Sequence, residues 1–213
     1  MLTPERWSQL WRAATKQAAP TGSYDRLVAM YSEPHRHYHN LGHIADCLAE
    51  FDHARELARE PLTVELAIWF HDAVYDPRAA DNEERSTLLA QAWLGEVPAE
   101  PALMDAVGRL ILATKKHDAA LHMDAALLVD VDLGILGQPP ERFWEYEAQI
   151  RAEYNWVPPE IFSVKRAEIL DGFLARPRIY NTDSFFHQLE AQARTNLQTS
   201  VHRLRNPSPV WGK

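Results

Sequence analysis

The residues best placed to do chemistry are histidines and one aspartate. They occur in Arg36-His37-Tyr38-His39-Asn40-Leu41-Gly42-His43 and, 28 residues after His43, in Ala67-Ile68-Trp69-Phe70-His71-Asp72-Ala73-Val74-Tyr75. A carboxylate in so apolar a stretch is expensive to desolvate unless it is paired or holds a metal. Residues 36, 39 and 43 lie three and four positions apart, so they share one stripe if a helix extends that far back. His43 could then meet His71 and Asp72 across a helix interface. Neighbouring helical side chains diverge by about 100°, so His71 and Asp72 can both reach only an ion lying over a seam between helices. Two imidazoles and a carboxylate suit a divalent transition metal or, with more oxygen ligands, manganese or magnesium. The pattern points to a metal-dependent enzyme.

A further carboxylate is expected from Leu127-Leu128-Val129-Asp130-Val131-Asp132-Leu133-Gly134-Ile135-Leu136. Both aspartates have apolar same-face neighbours, and periodicity does not choose between them. One is expected to bind metal and the other to orient a ligand or water. Arg36 could brace an anionic substrate from the stripe of His39 and His43. Lys115 or His117 could add positive charge, and Glu84 could orient a water. The plainer reading of Glu83 and Glu84 is a pair of first-turn acids complementing a helix dipole. Cys47, one turn beyond His43, reads as a core thiol, and His35 and His37 read as surface histidines.

The elements that must position these groups all read as helices, because apolar residues recur at intervals of three and four nearly everywhere. A first helix enters at Pro4, and a second begins near Gly22-Ser23 and ends by Pro34. A third starts near His39 and continues through Phe51. The fourth, about Leu62 to Tyr75, is apolar nearly all round and is therefore expected at the centre. Asp81 caps a helix reaching Leu94, and others run from Pro101 to Lys116 and from Ala125 to Leu136. Pro140 and Pro159 open two more, and a long last helix spans about Ser184 to Leu204. Alternating strands, repeats and Gly/Ser linkers are lacking. The expectation is one all-α domain over residues 1–213, with the metal-site core at about 31–136 and helices at about 140–205 packed on it.

The 213 residues can bury a full core, and a hydrophobic share of 46% with 24% charged is ordinary for a globular protein. A formal charge of −8 argues against coating nucleic acid, although a metal and an arginine can still neutralise one phosphate locally. With a single cysteine no intramolecular disulfide can form. The amino terminus lacks a signal-peptide pattern and no apolar run approaches spanning length, so a cytoplasmic location is expected. A homodimer is the base-rate expectation.

The order His, then His-Asp, then Asp on a helical chain resembles the HD superfamily of metal-dependent phosphohydrolases. The segment Tyr38-His39-Asn40-Leu41-Gly42-His43-Ile44-Ala45-Asp46 is also similar to the corresponding segment of cyclic-nucleotide phosphodiesterases, from which the chain departs at Ala73-Val74-Tyr75-Asp76. The whole chain, including Arg151-Ala152-Glu153-Tyr154 and Glu190-Ala191-Gln192-Ala193-Arg194, looks like a bacterial group of HD phosphohydrolases. The resemblance implies a helical HD-domain-like bundle in which His43, His71, Asp72 and Asp132 bind metal and His39 is the general acid. It favours Asp132 because members commonly place the last ligand just before a leucine, as in Asp132-Leu133.

The implied cofactor is a divalent ion (Mn, Fe, Co, Ni, Zn or Mg), and the implied substrate is a small phosphate ester such as a nucleotide. Relatives with a two-iron centre carry extra histidines where this chain has His117 and His122, which makes an oxygenase the first rival. A non-catalytic module that binds metal or nucleotide is the second.

Overall fold

Proline opens five of the helices, at positions 4, 61, 101, 140 and 159. In the first turn its missing N–H would have no helical partner anyway, and its fixed φ suits the helix. In this computed structural model, residues 2–117 and 123–206 are described. The helices are α1 (Pro4–Thr15), α2 (Ser23–Tyr31), α3 (Leu41–Ala54), α4 (Pro61–Phe70), α5 (Asn82–Gly95), α6 (Pro101–Thr114), α7 (Met123–Asp132), α8 (Pro140–Glu153), α9 (Pro159–Leu174) and α10 (Asp183–Arg205). Short 3-10 segments occupy Arg55–Leu57 and Leu133–Gly137. Among the described residues there is no strand, and the fold is all-α as expected. Among the described residues, no helix is long and apolar enough to cross a membrane.

The chain forms two compact units, Met1–Asp132 and Leu133–Lys213. In the first, α4 is central: Val64, Leu66, Ala67, Ile68, Trp69 and Phe70 are all buried. It packs against α1, α3, α5, α6 and α7, which its all-round hydrophobicity anticipates. Its one buried charge, Glu65, is held by Arg6 Nε at 2.7 Å and Arg55 Nη1 at 2.5 Å. Asp124 of α7 accepts from Arg59 N at 2.7 Å and Glu60 N at 3.0 Å, satisfying donors at the start of α4 from a remote side chain.

Three helix boundaries differ from the sequence expectation. Helix α3 begins at Leu41 rather than near His39, because Asn40 is extended and its Oδ1 accepts from Gly42 N at 2.7 Å. Helix α4 stops at Phe70 rather than Tyr75. The Asp72 and Ala73 carbonyls that follow accept from the Arg36 guanidinium. The expected helix from Ala125 to Leu136 is α-helical only through Asp132 and then tightens into the 3-10 segment.

In the second unit α9 and α10 pack together, and α10 also meets the 3-10 segment. Glu190 accepts from the backbone of Ile179 and Tyr180 and pairs with Arg194, while Asn196 Nδ2 donates to the Leu136 and Gln138 carbonyls at 2.9 Å each. Gly137 lies where α10 comes closest. A Cβ there would sit 2.5 Å from Leu189 Cβ and 2.9 Å from the Leu189 carbonyl oxygen, which no rotamer change relieves. Gly172 in α9 faces open space. Gly137→Ala should therefore cost about 2 kcal/mol by overpacking, whereas Gly172→Ala should add up to about 1 kcal/mol from helix propensity. Shifts of the urea denaturation midpoint in opposite directions for the two variants would verify this.

Candidate metal centre

Three helix ends deliver the candidate side chains. His43 projects from the first turn of α3, His71 caps the C-terminus of α4 with Asp72 next in the turn, and Asp132 is the last residue of α7. His43 Nε2 lies 3.2 Å from His71 Nε2, 3.2 Å from Asp132 Oδ1 and 3.5 Å from Asp72 Oδ2. His71 Nε2 lies 3.2 Å from Asp72 Oδ2 and 3.5 Å from Asp132 Oδ1. Donors bound at about 2.0–2.2 Å to one divalent ion are separated by about 3.0–3.5 Å. Each of these histidine–histidine and histidine–carboxylate spacings fits two ligands facing a shared cation.

The imidazoles are oriented for it. His71 Nδ1 sits 2.9 Å from the Ile68 carbonyl oxygen, which only accepts, so Nδ1 carries the proton in the neutral ring and Nε2 turns its lone pair to the cluster. The His43 and His71 side chains are sealed at 2% and 1% exposure, whereas those of Asp72 and Asp132 keep 15% and 14%. Of these four side chains, the two carboxylates are the ones open to solvent.

Sequence reasoning read Cys47 as an ordinary core thiol, and the structure adds it to the group. Together with His43, His71 and Asp132 it offers ligand atoms all within 4.8 Å of one another. Its Sγ lies 3.7 Å from both ring nitrogens of His43. The signal was present in the i,i+4 spacing on α3. Of the two candidate aspartates, Asp132 joins the cluster, while Asp130 is wholly buried and outside it.

The remaining candidates surround this group at different distances. His39 lies in the loop before α3, not on a helical stripe with His43, because Asn40 starts the helix after it. Its ring stacks on Tyr75 at 4.3 Å between centroids and stands 6.0 Å from the His43 ring. Arg36 is also in that loop, and its guanidinium is turned to the carbonyls of His39, Asp72 and Ala73. His117 Nε2 lies 3.2 Å from Asp132 Oδ2, the carboxylate oxygen facing away from the imidazole pair. It adopts φ +47°, a left-handed conformation that costs a non-glycine residue about 1–3 kcal/mol. Glu84 is engaged by Lys115, whose Nζ also donates to the Ala80 carbonyl at 2.8 Å, and it is no member of the cluster. His35 Nε2 meets the Tyr75 carbonyl at 2.9 Å, and His37 is exposed. His122 lies outside the described residues.

In comparisons with family models, curated proteins and solved structures, nothing matches the chain.

The electrostatics follow from the packing. Burial lowers the His43 pKa, but Cys47, Tyr38 and the Asp132 and Asp72 carboxylates outweigh it and hold the imidazole well above its ordinary value. Burial likewise opposes charge on His71, which Asp72 and Asp132 raise well above its ordinary value. Burial raises Asp72 and Asp132, but the surrounding histidines hold both carboxyls well below their ordinary value, His71 leading for Asp72 and His117 for Asp132.

Raised imidazoles stabilise the fold fully below 6.5 and lose that contribution as pH rises through their folded values. Lowered carboxyls stabilise it above 3.8 and lose that contribution as pH falls through theirs. Metal-free protein should therefore be most stable between about pH 4 and 6.5 and weaken on the alkaline side. Metal must displace the imidazole protons, so its affinity should rise with pH and binding should release protons. Calorimetry of Zn or Co uptake in buffers of different ionisation enthalpy measures that release; pH-independent affinity without proton release would contradict it.

Proposed function

We propose that the chain is a metal-dependent phosphohydrolase of the HD type, cleaving a small phosphate ester such as a nucleotide. The convergence of the His43, His71, Asp72 and Asp132 donor atoms, at 3.2–3.5 Å, carries this reading. Their order along the chain supports it, as does the position of His39 beside the donors. A divalent ion held by those four side chains would supply Lewis acidity toward a phosphoryl oxygen and an acidified water. The mixed N/O donor set suits Mn, Fe, Co, Ni or Zn, and Mg less well.

The protein groups then have separate tasks. The sealed imidazoles keep bulk water off one side, while the partly exposed Asp72 and Asp132 edges leave the other open. His39, stacked on Tyr75, would be the acid that protonates the departing oxygen. His117, on the outer oxygen of Asp132, fixes that carboxylate's rotation.

A second reading draws on the same contact. His117 against the outer Asp132 oxygen would also suit a two-iron oxygenase, in which His117 would be an additional ligand. Metal stoichiometry and oxygen consumption separate the two.

His71→Ala and Asp72→Ala should lose both metal and turnover, whereas His39→Gln should keep metal and lose about 10²–10⁴ in kcat. Elemental analysis and phosphate release from a panel of nucleotides and sugar phosphates, tried with each candidate ion, provide the readout. If no phosphate ester turns over with any ion, the hydrolase assignment is wrong.

A further inference from the structure

One arginine links the loop carrying His39 to the turn carrying Asp72. The Arg36 side chain has no exposure, and it makes four hydrogen bonds. Its Nε donates to Glu33 Oε2 at 2.9 Å, Nη1 to the His39 carbonyl at 3.0 Å and the Asp72 carbonyl at 2.6 Å, and Nη2 to the Ala73 carbonyl at 2.9 Å. The backbones of His39 and Asp72 thus meet on a single nitrogen. The guanidinium also lies over the rings of Tyr31 at 5.1 Å and Tyr75 at 5.5 Å. Tyr75 is the ring on which His39 stacks, so both the backbone and the imidazole of His39 are referenced to the same cation.

The placement is chemically apt. The carbonyls just past α4 lie at the negative end of its dipole, where a buried guanidinium is favoured. A guanidinium has five N–H donors. With four bonds already made, Arg36 cannot offer the two-pronged grip that arginine uses on phosphate.

We propose that Arg36 is a positioning residue: it sets the distance and orientation of His39 relative to the metal ligands, and it does not contact substrate. The inference rests on the metal-centre reading. A purely structural arginine would affect stability without moving His39 relative to the ion.

Proton NMR of the cobalt-loaded full chain tests this. The ligand imidazoles of His43 and His71 should show large hyperfine shifts. His39 should show a smaller through-space shift, identified by its loss in His39→Gln, that varies steeply with distance and orientation. Arg36→Lys keeps the charge but cannot span three carbonyls. It should bind cobalt at wild-type stoichiometry and keep both ligand imidazoles strongly shifted, while the His39 shift falls at least twofold or broadens away.

Tyr75→Leu, which removes the stacked ring and leaves the carbonyl bonds, should act in the same direction, and Tyr75→Phe should restore the wild-type position. If Arg36→Lys does not fold, Glu33→Gln alters only the half-exposed end of the clamp, and displacement of the His39 signal there supports the proposal. A wild-type His39 shift in the folded, cobalt-bound variants overturns it. Failure of the wild-type chain to take up cobalt overturns the metal-centre reading, and this inference with it.

Discussion

Two carboxylates and two imidazoles, all within a few ångströms and mostly shielded from water, cannot coexist without positive charge among them. Like charges at 4 Å repel by about 4 kcal/mol at an effective dielectric of about 20, and stripping water from each adds to that cost. Protons on His43 and His71 can supply the missing charge, and so can a divalent ion. The raised imidazoles and lowered carboxyls are the proton solution, reached by the side chains alone. The ion solution uses the same geometry with the protons expelled. The cluster is therefore poised between two charge states that share one arrangement of atoms.

Holding that arrangement falls mainly to α4, which is anchored along its whole length. Asp124 satisfies backbone donors just ahead of it, Arg6 and Arg55 neutralise Glu65 within it, and Arg36 takes up the carbonyls beyond it. Trp69 and Phe70 pack on Trp7 of α1 with ring centroids 5.1 and 5.7 Å away. These anchors oppose rotation or sliding of the helix, so the turn after Phe70 can present two unlike donor groups in a fixed direction. Adjacent residues on a continuing helix would diverge by about 100°. His71 keeps right-handed helical backbone angles at the end of α4, and its Nε2 nevertheless lies 3.2 Å from Asp72 Oδ2 in the turn that follows.

The helical class and the central α4 were legible because periodicity and all-round hydrophobicity are properties of single segments. So were the aspartate and histidines in apolar surroundings, whose burial demands a partner. What escaped depends on tertiary geometry. Asp130 and Asp132 have equally apolar neighbours in sequence, and only the placement of α7 puts Asp132 against His43. The cap at Asn40 competes with continued helix through His39, and the loop form wins because Arg36 binds carbonyls on both sides of the gap. Cys47 looked like any buried thiol, since i,i+4 spacing from a histidine becomes chemically meaningful only once that histidine has partners. The positive φ of His117 carries no sequence mark at all.

The commitments of the nearby cations bear on which chemistry the centre can perform. Arg36 is spent on backbone carbonyls and Lys115 on Glu84 and the Ala80 carbonyl. Neither can then neutralise an incoming phosphate without breaking bonds that hold the fold near the site. If a phosphate ester is the substrate, the ion would be the principal charge that meets it, with His39 and His117 able to offer hydrogen bonds beside the carboxylates. Such a centre would depend on its metal for binding as well as for activating water. Losing the ion would then remove substrate affinity together with turnover, unlike a site in which arginines grip the phosphate independently.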